Sequence, residues 1–126
     1  MAWWRTVALV TLGAVLGANL RYWISDWLGR HYATFPYGTL LVNTSGSLLL
    51  GFFLVWTSDR VLVSPDLRLL VAVGFCSSYT TFSSYSFETF RMIEQGQLWA
   101  AGSNFLANNL VCLACVLLGA ALARAL

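Results

Sequence analysis

Hydrophobic residues run in four stretches, Thr6 to Asp26, Gly38 to Trp56, Leu67 to Phe90 and Leu98 to Leu122, parted by short polar linkers. Each is near the roughly 20 residues that cross a hydrocarbon core as a helix. The pattern predicts an all-α membrane protein, with residues 1–126 forming one four-helix transmembrane domain. Trp3, Trp4, Tyr22, Trp23, Trp27, Tyr37, Trp56 and Trp99 gather at the ends of the stretches, where amphipathic rings suit the headgroup layer. The linkers read as turns: Gly29 to Tyr37 with Pro36, Thr57 to Asp66 with Pro65, and Ile93 to Gln97 with Gly96. The alternation breaks down in one place. Nine of the ten residues from Ser77 to Ser86 carry a hydroxyl, directly after the apolar run Leu69 to Phe75. Polar groups and loosened backbone persist in hydrocarbon only if they are buried in protein or line a wet path, because unmade hydrogen bonds are costly there. That segment is a candidate conduit.

Composition supports the membrane setting, with 59% hydrophobic residues, 10% charged ones and a mean hydropathy of +0.72. A net charge of +2 without a basic tract gives no nucleic-acid footprint. Arg5 ahead of an apolar run ending at Leu16-Gly17-Ala18 has the outline of a secretory signal. The stretch continues through Arg21 to a Trp belt, however, and three more follow, so it reads as the first helix. Four spans would place Arg5, Arg60, Arg68 and Arg124 on one side against Arg30 and Arg91 on the other. So small an excess dictates orientation weakly. Balance of this kind allows insertion both ways, and two opposed copies would form a two-fold dimer with its axis in the membrane plane. A single orientation is the plain alternative.

Catalysis has little to stand on. The only histidine, His31, falls in a predicted loop, lysine is absent, and Asp26, Asp59, Asp66, Glu88 and Glu94 lie at or near predicted span ends. An intramembrane Ser-His hydrolase needs a histidine at the depth of its serine, and metal hydrolysis needs clustered ligands. Cys76, Cys112 and Cys115 all lie within spans and read as small apolar fillers. Asn43-Thr44-Ser45 matches a glycosylation sequon, but inside a span it is out of reach. The polarity that remains is set at helical spacing. Thr39 and Asn43 share a face with Gly46 and Ser47, and Asn104, Asn108 and Cys112 repeat at i, i+4, i+8. Such stripes either join helices or line a path with neutral donors. Arg21 either snorkels or draws anions into a vestibule.

Three segments carry a resemblance. Gly17-Ala18-Asn19-Leu20-Arg21-Tyr22, Gly38-Thr39-Leu40-Leu41-Val42-Asn43, and Gly74 to Glu88 with its Thr80-Thr81-Phe82-Ser83 core resemble, in order, the signature segments of the Fluc (CrcB-type) fluoride channels. Two departures stand out: Ser77-Ser78 where the family usually has Gly-Gly, and Tyr85 where it has Phe. The resemblance implies a four-helix subunit with a broken third helix, paired with a second copy as an antiparallel homodimer in the lipid bilayer. It implies two pores that passively export fluoride through the cell membrane and so relieve its toxicity. It further implies that Asn43 and Phe82 line the pore, that Tyr85 stands where a second pore phenylalanine would be, and that Thr39, Asn108 and Cys112 form a polar track. Asn104 falls at a vestibule position. Backbone carbonyls near Ser77 and Thr80 fall where the family holds a structural sodium ion at the dimer centre.

The chemistry of the residues is compatible with that assignment. Fluoride is small and strongly hydrated, so a selective pore replaces water with closely placed neutral donors such as an amide, a hydroxyl and the positive edge of an aromatic ring. A small proton-coupled multidrug transporter would have similar hydropathy, but it needs a carboxylate in the middle of its first helix, and Ala8 to Leu20 contains none. A non-transporting assembly subunit would use the Asn and Gly residues for packing alone.

Overall fold

The computed structural model describes residues 2–59 and 62–126, and those residues form helices without a strand. Helix α1 is Trp3–His31 and α2 is Tyr37–Asp59. Pro65–Arg68, Leu69–Cys76 and Ser77–Tyr79 run on as one helix, α3, wound more widely through Leu69–Cys76. Helix α4 is Phe82–Glu94 and α5 is Leu98–Ala125, again wider at Ala107–Val111. Helices α1, α2 and α5 are each long and apolar enough to cross a membrane. Helices α3 and α4 stand in place of the third predicted span, interrupted at Thr80 and Thr81.

Several linkers are shorter than the sequence pattern suggested. No strong breaker follows Asp26 until Pro36, so α1 continues through Gly29 and Arg30, with an Asp26–Arg30 ion pair of 2.8 Å one turn apart. His31 therefore closes a helix rather than sitting in a loop, its Nδ1 2.7 Å from the Trp27 carbonyl. Similarly, α2 runs on to Asp59, and Ser64 caps α3 by accepting from the Leu67 amide ahead of Pro65 at the first turn. Helix α4 ends only at Glu94, where Gly96 turns the chain with φ of 73°. Arg60, part of the predicted charge balance, lies outside the described residues.

Two tight helix pairs hold the subunit together. Helix α1 lies on α3 so closely that a Cβ on Gly13 or Gly17 would overlap the carbonyl oxygen of Leu70 or Phe75. Helix α2 lies equally close on the second half of α5, with Gly51 against the Val116 carbonyl and Gly119 against that of Leu48. Lipid tails are as apolar as leucine, so membrane helices associate through close backbone packing and hydrogen bonds rather than through apolar burial. Helix α4 packs on the first half of α5, bringing the hydroxyl-rich segment against its asparagines. Outward-facing leucines such as Leu12, Leu16, Leu113 and Leu117 are exposed on the subunit. Arg5 pairs with Asp66, tying the start of α1 to that of α3.

Candidate functional site

The site begins at the break between α3 and α4. Thr80 and Thr81 are extended, with φ, ψ of −83°, 157° and −150°, 115°. Thr81 starts the next helix as its cap, Oγ1 accepting from the Ser84 amide at 3.2 Å. Its own peptide groups have left the helical ladder, and Asn43 of α2 takes them up. The Thr81 N–H donates to Asn43 Oδ1 at 2.7 Å, and Asn43 Nδ2 donates to the Thr81 carbonyl at 3.1 Å. A backbone N–H only donates and a carbonyl only accepts, so this pair fixes which way the amide faces.

From there the bonds run on through the interior. Asn43 Nδ2 donates its other proton to Asn108 Oδ1 at 2.9 Å, and Asn108 Nδ2 donates to the Asn104 carbonyl at 3.1 Å and to Asn104 Oδ1 at 2.9 Å. Asn104 Nδ2 donates to Thr89 Oγ1 at 2.9 Å, and Thr89 Oγ1 to the Tyr85 carbonyl at 2.8 Å. All three asparagines are buried, Asn104 completely. Their mutual satisfaction is what an interior of low dielectric demands. One turn before Asn43, buried Thr39 donates to Glu88 Oε1 at 2.6 Å. The other oxygen, Oε2, is buried and has no partner among the described residues.

Two recesses meet this polar line. One, of about 230 Å³, is lined by Asn43, Ser47, Thr81, Phe82, Tyr85 and Asn108, with Asn109 and Cys112 at its wall. Phe82 and Tyr85 meet edge to face there, centroids 5.2 Å apart, Phe82 exposed on the subunit and Tyr85 buried. The other, of about 730 Å³, lies by the α1–α2 and α4–α5 turns and includes Glu88 and Arg91. The Thr39–Glu88 bond links the wide recess to the α2 face that carries Asn43. Thus Asn43, Phe82, Tyr85, Asn108 and Cys112 converge on one cavity, while Thr39 and Asn104 continue its polar lining away from it.

Other predicted positions have different roles. Arg21 lies well inside α1, and its Nε donates to the Ser78 carbonyl at 3.0 Å, a cation against the last turn of α3. A helix C-terminus has unsatisfied carbonyls and partial negative charge, which explains the placement. Ser77 and Ser78 remain helical, so the interruption lies at Thr80 and Thr81. The sequence pattern does not single out Glu88, Thr89 and Asn109 as parts of this network. Hydropathy ends the third stretch at Phe90 and so places Glu88 near a span end; with α4 reaching Glu94 it sits mid-helix. Among the described residues no three His, Cys, Asp or Glu side chains cluster as metal ligands.

Membrane-length helices, a span interrupted in its middle and a buried line of neutral hydrogen-bonding groups define a multi-pass membrane protein with a polar track through its helix bundle. The chain belongs to the family described as CrcB-like protein, Camphor Resistance (CrcB), whose profile it matches over residues 8–120. It is 49% identical over 123 residues to the fluoride-specific ion channel FluC of Koribacter versatilis, covering 97% of this chain and 98% of that one. It is 44% identical to the fluoride-specific ion channel FluC of Roseiflexus sp., covering 95% and 98%. The protein of the same name from Pyrococcus horikoshii is 41% identical, covering 95% and 97%.

Proposed function

We infer that this chain is the subunit of a fluoride-specific channel and not an enzyme, and that Asn43, clamped across the Thr80–Thr81 interruption and facing the 230 Å³ cavity, is the centre of its permeation path. The family membership and the names of the relatives support the ion. The donor chemistry supports the mechanism. Asn43 already has both amide protons engaged, one on Thr81 and one on Asn108 Oδ1. A fluoride entering from the cavity competes with Asn108 Oδ1 for the second proton, so hydration is exchanged for a protein hydrogen bond without leaving the amide bare. Phe82 and Tyr85 offer ring edges beside it, and Thr39 continues the track toward Glu88.

Neutral donors suit conduction, because a full positive charge at the constriction would hold a small anion too tightly to release it. Arg21 is bound to the Ser78 carbonyl, which keeps its charge at the end of α3. In the cell membrane, with the interior negative, the potential contributes about 2.3 kcal/mol per 100 mV to outward movement of a monovalent anion. Fluoride that enters as hydrogen fluoride and ionises inside would leave passively.

A single subunit exposes Phe82 and the cavity mouth, which a second copy in antiparallel orientation would enclose. The family also implies a structural sodium ion, and the residues fit one. The amide that would close the helix on the Ser77 carbonyl is given to Asn43 instead, so Ser77 and Thr80 would hold the ion through main-chain oxygens. Bound there, it would supply positive charge that joins two interrupted helices. The deciding experiment is efflux of fluoride and chloride from liposomes containing the purified protein. Rapid fluoride efflux with chloride retained supports the channel; equal passage of both, or of neither, overturns it.

A further inference from the structure

Tyr85 and Asn109 form a pair that the polar track does not use. Asn109 Nδ2 donates to the Phe105 carbonyl at 2.8 Å and also lies 3.0 Å from Tyr85 Oη. The carbonyl has no proton to give, so the Asn109 atom facing it is the amine nitrogen, and that same atom carries its second proton to the phenol. Tyr85 Oη is therefore an acceptor in this contact. Its own proton is left over, on a side chain only 5% exposed that lines the 230 Å³ cavity with Asn43, Thr81 and Phe82.

We propose that the Tyr85 hydroxyl is a fluoride donor in this channel, and that Asn109 is a positioning residue that keeps the phenol's proton free for the ion. The inference rests on the channel reading and adds a contact within it. Accepting from Asn109 polarises the phenol and strengthens it as a donor, since linked hydrogen bonds reinforce one another where the dielectric is low. Fluoride is a far weaker base than phenolate, so the proton stays on tyrosine and the ion is bound without being neutralised. An amide turned the other way would take the phenol's proton on its oxygen and leave the cavity without this donor; the Phe105 carbonyl prevents that.

The test is a double-substitution cycle, Tyr85→Phe and Asn109→Leu, read as fluoride efflux from liposomes at equal density of assembled protein. One lost hydrogen bond to a charged group corresponds to roughly tenfold, so each single variant should slow efflux by about that factor. The double variant should be no slower than Tyr85→Phe, and Asn109→Gln, which keeps the amine, should recover part of the loss. If leucine impairs assembly, Asn109→Ala takes its place. An independent readout is the fluoride-minus-chloride ultraviolet difference spectrum, which should show a tyrosine red shift in the parent that vanishes in Tyr85→Phe. Parent-like flux in Tyr85→Phe, or an Asn109 effect undiminished in that background, overturns this pair and leaves the channel reading standing. A parent that passes no fluoride overturns both.

Discussion

Asn43 presents a donor and an acceptor to one peptide unit, a pairing few side chains can make. In Asn43→Asp the Thr81 N–H keeps its acceptor, but the second carboxylate oxygen would face the Thr81 carbonyl and Asn108 Oδ1, two acceptors where donation is required. Uncompensated buried polar contacts cost about 1–3 kcal/mol each, and the new charge opposes an anion. The variant should lose fluoride efflux by at least about tenfold, and its thermal midpoint in detergent should fall. Phe82→Ile isolates the ring, because Phe82 is 74% exposed on the subunit and its bulk is preserved. Here efflux should drop while elution as an assembled species is unchanged. An unaltered rate in both variants would remove Asn43 and Phe82 from the path.

At the level of helices, the close approach of α1 to α3 and the cap on α4 make separate demands. Gly17→Val would drive a side chain into the Phe75 carbonyl. Backbone that close cannot move aside cheaply, and overpacking of this kind costs about 1–3 kcal/mol. We expect a lower thermal midpoint in detergent, with the matching substitution of exposed Gly29 neutral. Thr81→Val removes the hydroxyl that caps α4 and should cost about 1 kcal/mol by the same measurement, with Thr81→Ser close to the parent. The sequence makes the helical periodicity of Thr39 with Asn43, and of Asn104 with Asn108, directly visible, since i, i+4 spacing alone places residues on one face. It does not show that Asn43 reaches Thr81, because that bond joins residues 38 apart. Asn109 is hidden for the same reason, since its contact is with Tyr85 on another helix, whereas Glu88 is hidden by the early end of the third apolar stretch at Phe90. Nor does the sequence show the partner of Arg21, a backbone oxygen that no side-chain pattern announces.

For the whole assembly, a membrane-impermeant maleimide against Gln95→Cys, in the turn after α4, separates the two arrangements. Opposed copies predict labelling of about half the chains from each side, whereas modification from one side alone excludes the antiparallel pair. If sodium joins the two α3 ends, exchange of sodium for N-methylglucamine should lower the thermal midpoint, and an unchanged midpoint would dismiss the ion. The interruption at Thr80 and Thr81 also bears on biogenesis. Among the described residues only α1, α2 and α5 have the length and apolarity of independent spans, while α4 has 13 residues, about 20 Å of helix against a core of about 30 Å. A crossing made of α3 and α4 should therefore be a poor client of the insertion machinery. A reporter carrying residues 65–94 alone should insert inefficiently, and adding α2, which supplies the Asn43 clamp, should raise the yield. On the proposed function, the same two residues that would open a path for an ion would also make completion of the topology wait on a partner helix already in place.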